Sequence, residues 1–248
     1  MVKQSEFLSE IRARRQRHTP ARPRIVPAFT IQALQDNTVV ARPPRCDPHA
    51  ERPPRGITTF RRFYDRSALP VTLESDGQKV SWKFEEFKEL KELDYNLYLP
   101  LMLDGLVECK PPFPQLVDHA LADMLEHGTN KVLPVLPLLV RPIKRAVDTK
   151  ISRIVCRTLR VLQRLVQSDH CVGQALVPYF RQILPVLNIL KDRTVHYGEE
   201  IDYSHQRGEN VPDLIQETLQ VLELHGGEEA LANIKYVIPT YESCVKYM

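Results

Sequence analysis

The chain has 248 residues, of which 43% are hydrophobic and 26% charged, and it carries a net charge of +3 at pH 7. This composition is typical of a globular protein, and no run approaches the roughly 18 uncharged apolar residues of a membrane helix, so we do not expect a membrane protein. Five widely spaced cysteines do not suit a disulfide framework, and their odd number favours a reducing compartment such as the cytoplasm.

Positive charge and proline are concentrated at the start of the chain. Residues 1–56 hold eleven Lys and Arg against five acidic residues, which leaves residues 57–248 with a net charge of −3. The same first 56 residues contain eight of the twenty prolines and only scattered large apolar side chains. Such a segment cannot bury enough surface to offset the entropy of ordering it. We predict a disordered, basic, Pro-rich arm over residues 1–56 and one folded domain over residues 57–248.

Residues 57–66 interleave aromatic residues with arginines at the junction of the predicted arm and domain. Both residue types are enriched at interface hot spots because they make large, rigid contacts. The alternative is that Phe60, Phe63 and Tyr64 pin a strand-like segment onto the first helices while the arginines stay in solvent, and both can hold at once. The predicted partner-binding residues of the arm and of this segment are Arg12, Arg14, Arg15, Arg17, Arg22, Arg24, Phe60, Arg61, Arg62, Phe63, Tyr64 and Arg66.

A short apolar motif with a central proline, named the proline phrase, recurs around Pro134, Pro185 and Pro239, at intervals of 51 and 54 residues. Armadillo and HEAT repeats have periods of about 40–47 residues, close to this spacing. The sequence therefore predicts an all-α fold, an armadillo/HEAT-like helical-repeat solenoid. Stacks of this kind build long surfaces that hold other proteins, which favours a scaffold over an enzyme.

Helical periodicity precedes each phrase and predicts units of helix, turn and helix. Thr218-Leu219 repeats the Thr158-Leu159 pair, and glycines after His127 and His225 are expected to end the first helices. Prolines inside the second helices predict kinks or breaks. The longest apolar stripe comprises Ile151, Ile154, Val155, Thr158, Leu159, Leu162, Leu165 and Val166.

Motifs for chemistry are absent from the sequence. No Cys-x-x-Cys, His-x-x-x-His or glycine-rich phosphate loop occurs, so we predict no metal, no cofactor and no enzymatic activity. His170 and Cys171 could form a thiol and base pair, but we expect adjacent side chains to point apart with no third group to orient them. Cys156 lies on the apolar stripe and is predicted to be a small core residue. Residues 191–211 form a long charged loop, slightly favoured as a partner-binding element.

Seven segments resemble the parkin co-regulated gene protein family, in order along the chain. They are residues 59–66, 123–128, 130–137, 175–188, 201–204, 213–219 and 233–244. The chain departs from the family pattern at residues 84–93 and 109–117, which leaves the choice between paralogues open.

The resemblance implies a non-enzymatic armadillo-like protein of the cytoskeleton in cilia and flagella. It implies a place in the axoneme, as a microtubule inner protein at the inner junction that joins the A- and B-tubules of doublet microtubules. The expected partners are tubulin in the microtubule lattice, a second inner-junction protein and other axonemal proteins. The alternative left open is a helical-repeat adaptor or nucleic-acid-binding protein that uses its basic arm, although a nucleic acid is not expected because the folded part is acidic.

Overall fold

The computed structural model describes residues 23–35, 38–41, 47–54, 56–73, 80–82, 90–191 and 210–245. Contacts divide the chain into a first unit that ends at Asp47 and a second unit that begins at Pro48. In the first unit, strand β1 (Arg24–Val26) pairs in parallel with β2 (Thr38–Val40), and a short 3-10 helix (Ile31–Leu34) lies between them. The predicted domain boundary at residue 56 and the predicted disorder of the arm stay predictions.

The second unit is predominantly helical, as the sequence predicts. None of the helices that the structure describes is long and apolar enough to cross a membrane. A hairpin of β3 (Val71–Leu73) and β4 (Val80–Trp82) joins the helices, and the Trp82 indole donates to Asp123 Oδ2 at 2.9 Å. The α-helices are α1 (Thr59–Asp65), α2 (Tyr95–Asp104), α3 (Phe113–His127), α4 (Thr129–Asp148), α5 (Ser152–Gln167), α6 (His170–Leu176), α7 (Phe180–Leu190), α8 (Val211–Gly226) and α9 (Glu228–Val237).

The helices of the second unit pack in two rows that follow chain order. Helix α3 packs on α5, and α5 packs on α8, so the helices predicted as first in each unit are neighbours. Likewise α4 packs on α7 and α7 on α9, which places the second helices side by side. Helix α2 packs on α4, ahead of the first pair.

The apolar stripe predicted before the second phrase forms α5 and lies at the centre of the core. Leu159 and Leu162 are fully buried and Ile151 is half-buried, so the stripe is confirmed. Cys156 is also buried among apolar side chains, as predicted. Full burial of a Leu or Val side chain stabilises the folded state by about 1.5–3 kcal/mol, so α5 contributes more than its helical propensity would.

The repeated Thr-Leu pair has the same role in α5 and α8. The buried hydroxyl of Thr158 donates to the Ile154 carbonyl oxygen at 2.7 Å, and that of Thr218 donates to the Leu214 carbonyl oxygen at the same distance. Each hydroxyl is thereby satisfied inside the core, where an unpaired polar group would be costly. The predicted glycine caps are confirmed as well, because α3 ends against Gly128 and α8 against Gly227.

The interior prolines have two different outcomes. Helix α4 continues through Pro134, Pro137 and Pro142 without interruption, so these prolines do not break it, and the predicted kink stays a prediction. Pro178 instead lies in a 3-10 turn (Val177–Tyr179) that separates α6 from α7, where the break is confirmed. Each proline inside α4 lacks the amide that would bond the carbonyl four residues earlier. For Pro137 and Pro142 those carbonyls belong to Leu133 and Leu138, which lie on the side of the helix that is open to solvent.

Candidate contact surface

The segment rich in aromatic residues and arginine forms helix α1, so the strand-like conformation considered for it is wrong. Thr58 caps the helix, because its hydroxyl accepts from the Arg61 amide at 3.1 Å and donates to Glu108 Oε1 at 2.6 Å. Asp104 Oδ2 accepts from the Thr59 amide at 2.7 Å. Two otherwise unpaired amides of the first turn are therefore satisfied, which favours a helix at this position.

The aromatic residues of α1 pack mainly inward. Phe60 is fully buried, and its ring meets Phe113 edge to face at 6.2 Å between centroids. Tyr64 meets the same Phe113 ring at 5.0 Å, and the Arg61 guanidinium lies 4.0 Å above it. Arg61 also pairs with Asp65 at 3.0 Å. These residues anchor the helix, so Phe60 has no free surface for a partner.

The other predicted contact residues divide into two groups. Arg62 and Arg66 are exposed on α1, and Arg24 is exposed in β1. Residues 192–209 of the predicted partner loop lie outside the described residues. So do five arginines of the arm, namely Arg12, Arg14, Arg15, Arg17 and Arg22.

Phe63 lines a groove that the sequence did not predict. The groove has a volume of about 650 Å³ and lies between α1, α2 and α4. Leu97 and Leu138 line it and are 45% and 53% exposed, so the groove presents two large apolar side chains to solvent. The proline phrase on α4 is a sequence signal at the groove, but helical periodicity alone does not show which face of a helix stays exposed to solvent. Its lining residues are Thr59, Phe63, Asn96, Leu97, Pro100, Leu101, Asp104, Leu138, Arg141, Pro142 and Arg145.

Charges at the groove are unequally compensated. Arg145 Nη1 lies 2.7 Å from Asp104 Oδ1, so that arginine and that carboxylate neutralise one another. The described residues give Arg141 no ion-pair partner, and its side chain is exposed. The groove therefore combines apolar walls with a net positive rim.

Arg157 is charged, but its side chain makes its contacts inside the helical unit. Its guanidinium is 9% exposed and holds both carboxylate oxygens of Asp118 at 2.9–3.0 Å. It also donates to the carbonyl oxygens of Leu106, Glu108 and Pro114 at 3.0–3.2 Å. All donor directions of the guanidinium are thus used to join α5 to α3 and to the segment before it. This arginine offers nothing to a partner.

Glu223 is a second buried charge with an internal role. Its carboxylate accepts from the Tyr241 hydroxyl at 2.7 Å, from the Cys244 amide at 3.0 Å and from the Ser243 hydroxyl. Burial alone raises the pKa of Glu223, but the hydrogen bonds from Ser243, Tyr241 and Cys244 outweigh burial and lower the pKa below its ordinary value. The same carboxylate adds to burial in raising the pKa of Tyr241. The cluster ties the segment after α9 to α8.

His170 and Cys171 lie closer together than predicted. Cys171 Sγ is 3.1 Å from His170 Nδ1, and that nitrogen is 3.7 Å from Asp169 Oδ1, so the expectation that the side chains point apart is wrong. The reason is local, since Asp169 caps α6 by accepting from the Cys171 amide and thereby brings the three side chains to one end of the helix. The imidazole is 85% exposed. This group lacks the enclosure that excludes water at an active site.

The sequence of the second unit matches known proteins over nearly its whole length. A family model described as Parkin co-regulated protein matches residues 58–243, from the cap of α1 to a hydrogen-bond donor of Glu223. The chain is also 51% identical over 219 residues to the Parkin coregulated gene protein homolog of Mus musculus, which covers 88% of this chain and 89% of the mouse protein. The predicted resemblance is confirmed, and the chain belongs to the parkin co-regulated protein family.

Proposed function

We propose that this protein is a non-enzymatic, structural microtubule-associated protein of the ciliary or flagellar axoneme. In this proposal it is a microtubule inner protein of the doublet microtubule and lies at the inner junction between the A- and B-tubules. Its partners there are tubulin in the lattice, a second inner-junction protein and other axonemal proteins. The observation that carries the proposal is membership of the family over residues 58–243, combined with the role that this family implies.

The two helical rows support a more specific description of the fold as an armadillo-like solenoid. First helices contact first helices and second helices contact second helices in chain order, which is how repeats stack in such arrays. Thr158 and Thr218 occupy equivalent positions in consecutive units and make the same hydrogen bond. A rigid array of this kind suits a fixed position in a lattice, where a protein must hold distances between neighbours.

The buried charges favour a scaffold over an enzyme. Arg157 and Glu223 are buried charged side chains of the described part of the chain, and both are fully committed to internal bonds. Catalytic groups, in contrast, face a cleft where they can reach a substrate. We therefore assign attachment and spacing, with no chemical step.

The basic arm supplies the proposed electrostatic attachment to the acidic microtubule surface. The test is microtubule co-sedimentation over a salt series, with the full chain and with a variant in which Arg12, Arg14, Arg15, Arg17 and Arg22 are replaced by Gln. The expected result is weaker binding and a flatter salt dependence in the variant, because exposed charges are screened within about 8–10 Å at physiological salt. Replacing five exposed basic residues of the helical unit by Gln, namely Lys110, Lys144, Arg153, Arg164 and Lys235, gives the control for total charge.

RNA added as a competitor separates this proposal from a nucleic-acid-binding function. Microtubule binding that RNA does not displace supports the structural role. Binding that RNA removes, or no binding to microtubules at low salt, would refute it. Unchanged affinity in the arginine variant would move the attachment site from the arm to the helical unit.

A further inference from the structure

The groove between α1, α2 and α4 has a feature that neither the family match nor the proposed function accounts for. Pro100 in α2 and Pro142 in α4 both line it. A proline within a helix has no amide for the carbonyl four residues before it. Those carbonyls belong to Asn96 and Leu138, which also line the groove. Each wall therefore carries a backbone acceptor without its helical donor.

These acceptors lie on the groove side of their helices, because residues four apart share one face of a helix. Water satisfies them while the groove is open, and an incoming N–H group can replace that water. The opposite walls thus present two acceptors beside the apolar surfaces of Leu97 and Leu138. A purely apolar ligand would leave the acceptors unpaired and would bind less well.

The rim selects the charge of the ligand. Asp104 is neutralised by Arg145 and accepts a hydrogen bond from the Thr59 amide, whereas Arg141 has no ion-pair partner among the described residues. An acidic side chain on the ligand would complete the pairing of Arg141, and a basic one would be repelled. The volume of about 650 Å³ is within the range of roughly 300–1,000 Å³ that is typical of ligand sites.

We propose that this groove binds a short, extended, acidic segment of a partner protein. The segment places two apolar side chains against Leu97, Leu138 and Phe63, and its backbone N–H groups donate to the Asn96 and Leu138 carbonyls. An acidic residue of the segment pairs with Arg141. An extended chain fits better than a helix, since a helix interior has no backbone N–H to donate. This inference does not depend on microtubule binding.

The test uses the full chain and a labelled probe peptide of sequence Asp-Glu-Leu-Asp-Leu-Glu, with binding followed by fluorescence anisotropy. Two matched peptides serve for comparison: one has Lys in place of every acidic residue, and one is N-methylated at both leucines. We expect the acidic peptide to bind at least about tenfold more tightly than the basic peptide, because an attractive charge pair becomes a repulsive one. The N-methylated peptide should also bind more weakly, because it lacks the two donors.

Substitutions in the groove test whether the peptide binds there. Leu138→Asp and Arg141→Glu are each expected to lower the affinity for the acidic peptide at least about tenfold. Both positions are exposed, so the fold should persist, and circular dichroism checks that it does. Leu224→Asp on α8 and Arg153→Glu on α5 are the matched controls, since both side chains are exposed and lie outside the groove.

Four results would overturn the proposal. The first is equal affinity for the acidic and basic peptides. The second is binding that the control variants reduce as much as the groove variants do. The third is an N-methylated peptide that binds as well as its parent, which would replace the extended mode by a side-chain or helical one. Absence of saturable binding at millimolar peptide would equally reject the groove as a site.

Discussion

Replacing Arg157 by Ala should destabilise the protein strongly, although the residue is not one of the predicted contact residues. The change removes the donors of the Leu106 and Pro114 carbonyl oxygens, both in buried hydrogen bonds. A buried acceptor left without its donor costs about 1–3 kcal/mol. Loss of the ion pair with Asp118 adds at most about 1 kcal/mol to this cost, because that carboxylate is 42% exposed and remains hydrated.

The expected total is about 2–5 kcal/mol, since water entering the vacated space recovers part of the cost. That is a large share of the roughly 5–15 kcal/mol by which a domain is stable. Urea denaturation followed by far-UV circular dichroism measures the change. Arg153→Ala, one turn earlier on the exposed face of α5, should change the free energy of unfolding by less than about 0.5 kcal/mol.

Arg157→Lys separates charge from hydrogen-bond geometry. Lysine keeps the positive charge opposite Asp118 but cannot reach all the carbonyls with a fork of five donors. It should therefore recover less than half of the stability lost in the Ala variant. If Arg157→Ala costs under about 1 kcal/mol, or if Lys restores full stability, the hydrogen bonds to the carbonyls do not stabilise the contact of α5 with α3 and the segment before it.

Three further outcomes are expected. Because the folded-state pKa of Glu223 lies below its ordinary value of 4.5, its contribution is fully present above about pH 4.5 and is lost as the pH falls through the lowered pKa. Unfolding free energies measured over that pH range should show a shallower slope in Glu223→Gln. Gly128→Ala places a Cβ 2.1 Å from the Tyr95 ring and should cost about 1–3 kcal/mol by thermal unfolding, and an unchanged Tm would contradict this packing. Leu159→Ala should cost about 2–5 kcal/mol in urea, whereas the exposed Leu224→Ala should cost under about 0.5 kcal/mol.

The helical content and the core could be predicted because they depend on local patterns. The stripe that contains Leu159 has the period of a helix, and the glycines after His127 and His225 mark helix ends. These signals are visible in the sequence because each depends on residues within one or two helical turns of each other. The repeated Thr-Leu pair was informative for the same reason.

The polar networks and the groove could not be predicted because they depend on long-range contacts. Arg157 meets the Leu106 carbonyl across 51 positions of sequence, and Glu223 meets Tyr241 across 18. Nothing in the local sequence shows that one arginine of α5 is buried while its neighbours are exposed. The groove likewise requires α1, α2 and α4 to meet, and even the helical state of α1 depends on a cap contact with Asp104.

The placement of proline distinguishes the two helical rows. Helices α3 and α8 carry proline only at their first turn, and α5 carries none. Helices α2, α4 and α7 carry proline in their interiors. A carbonyl freed by an interior proline must find water or a partner, so such a proline is tolerated where the helix has a side open to solvent, as α4 has at Leu133 and Leu138. The proline phrase that reveals the repeat therefore also marks the row whose backbone is open to contact, and the groove lies where two such helices face each other.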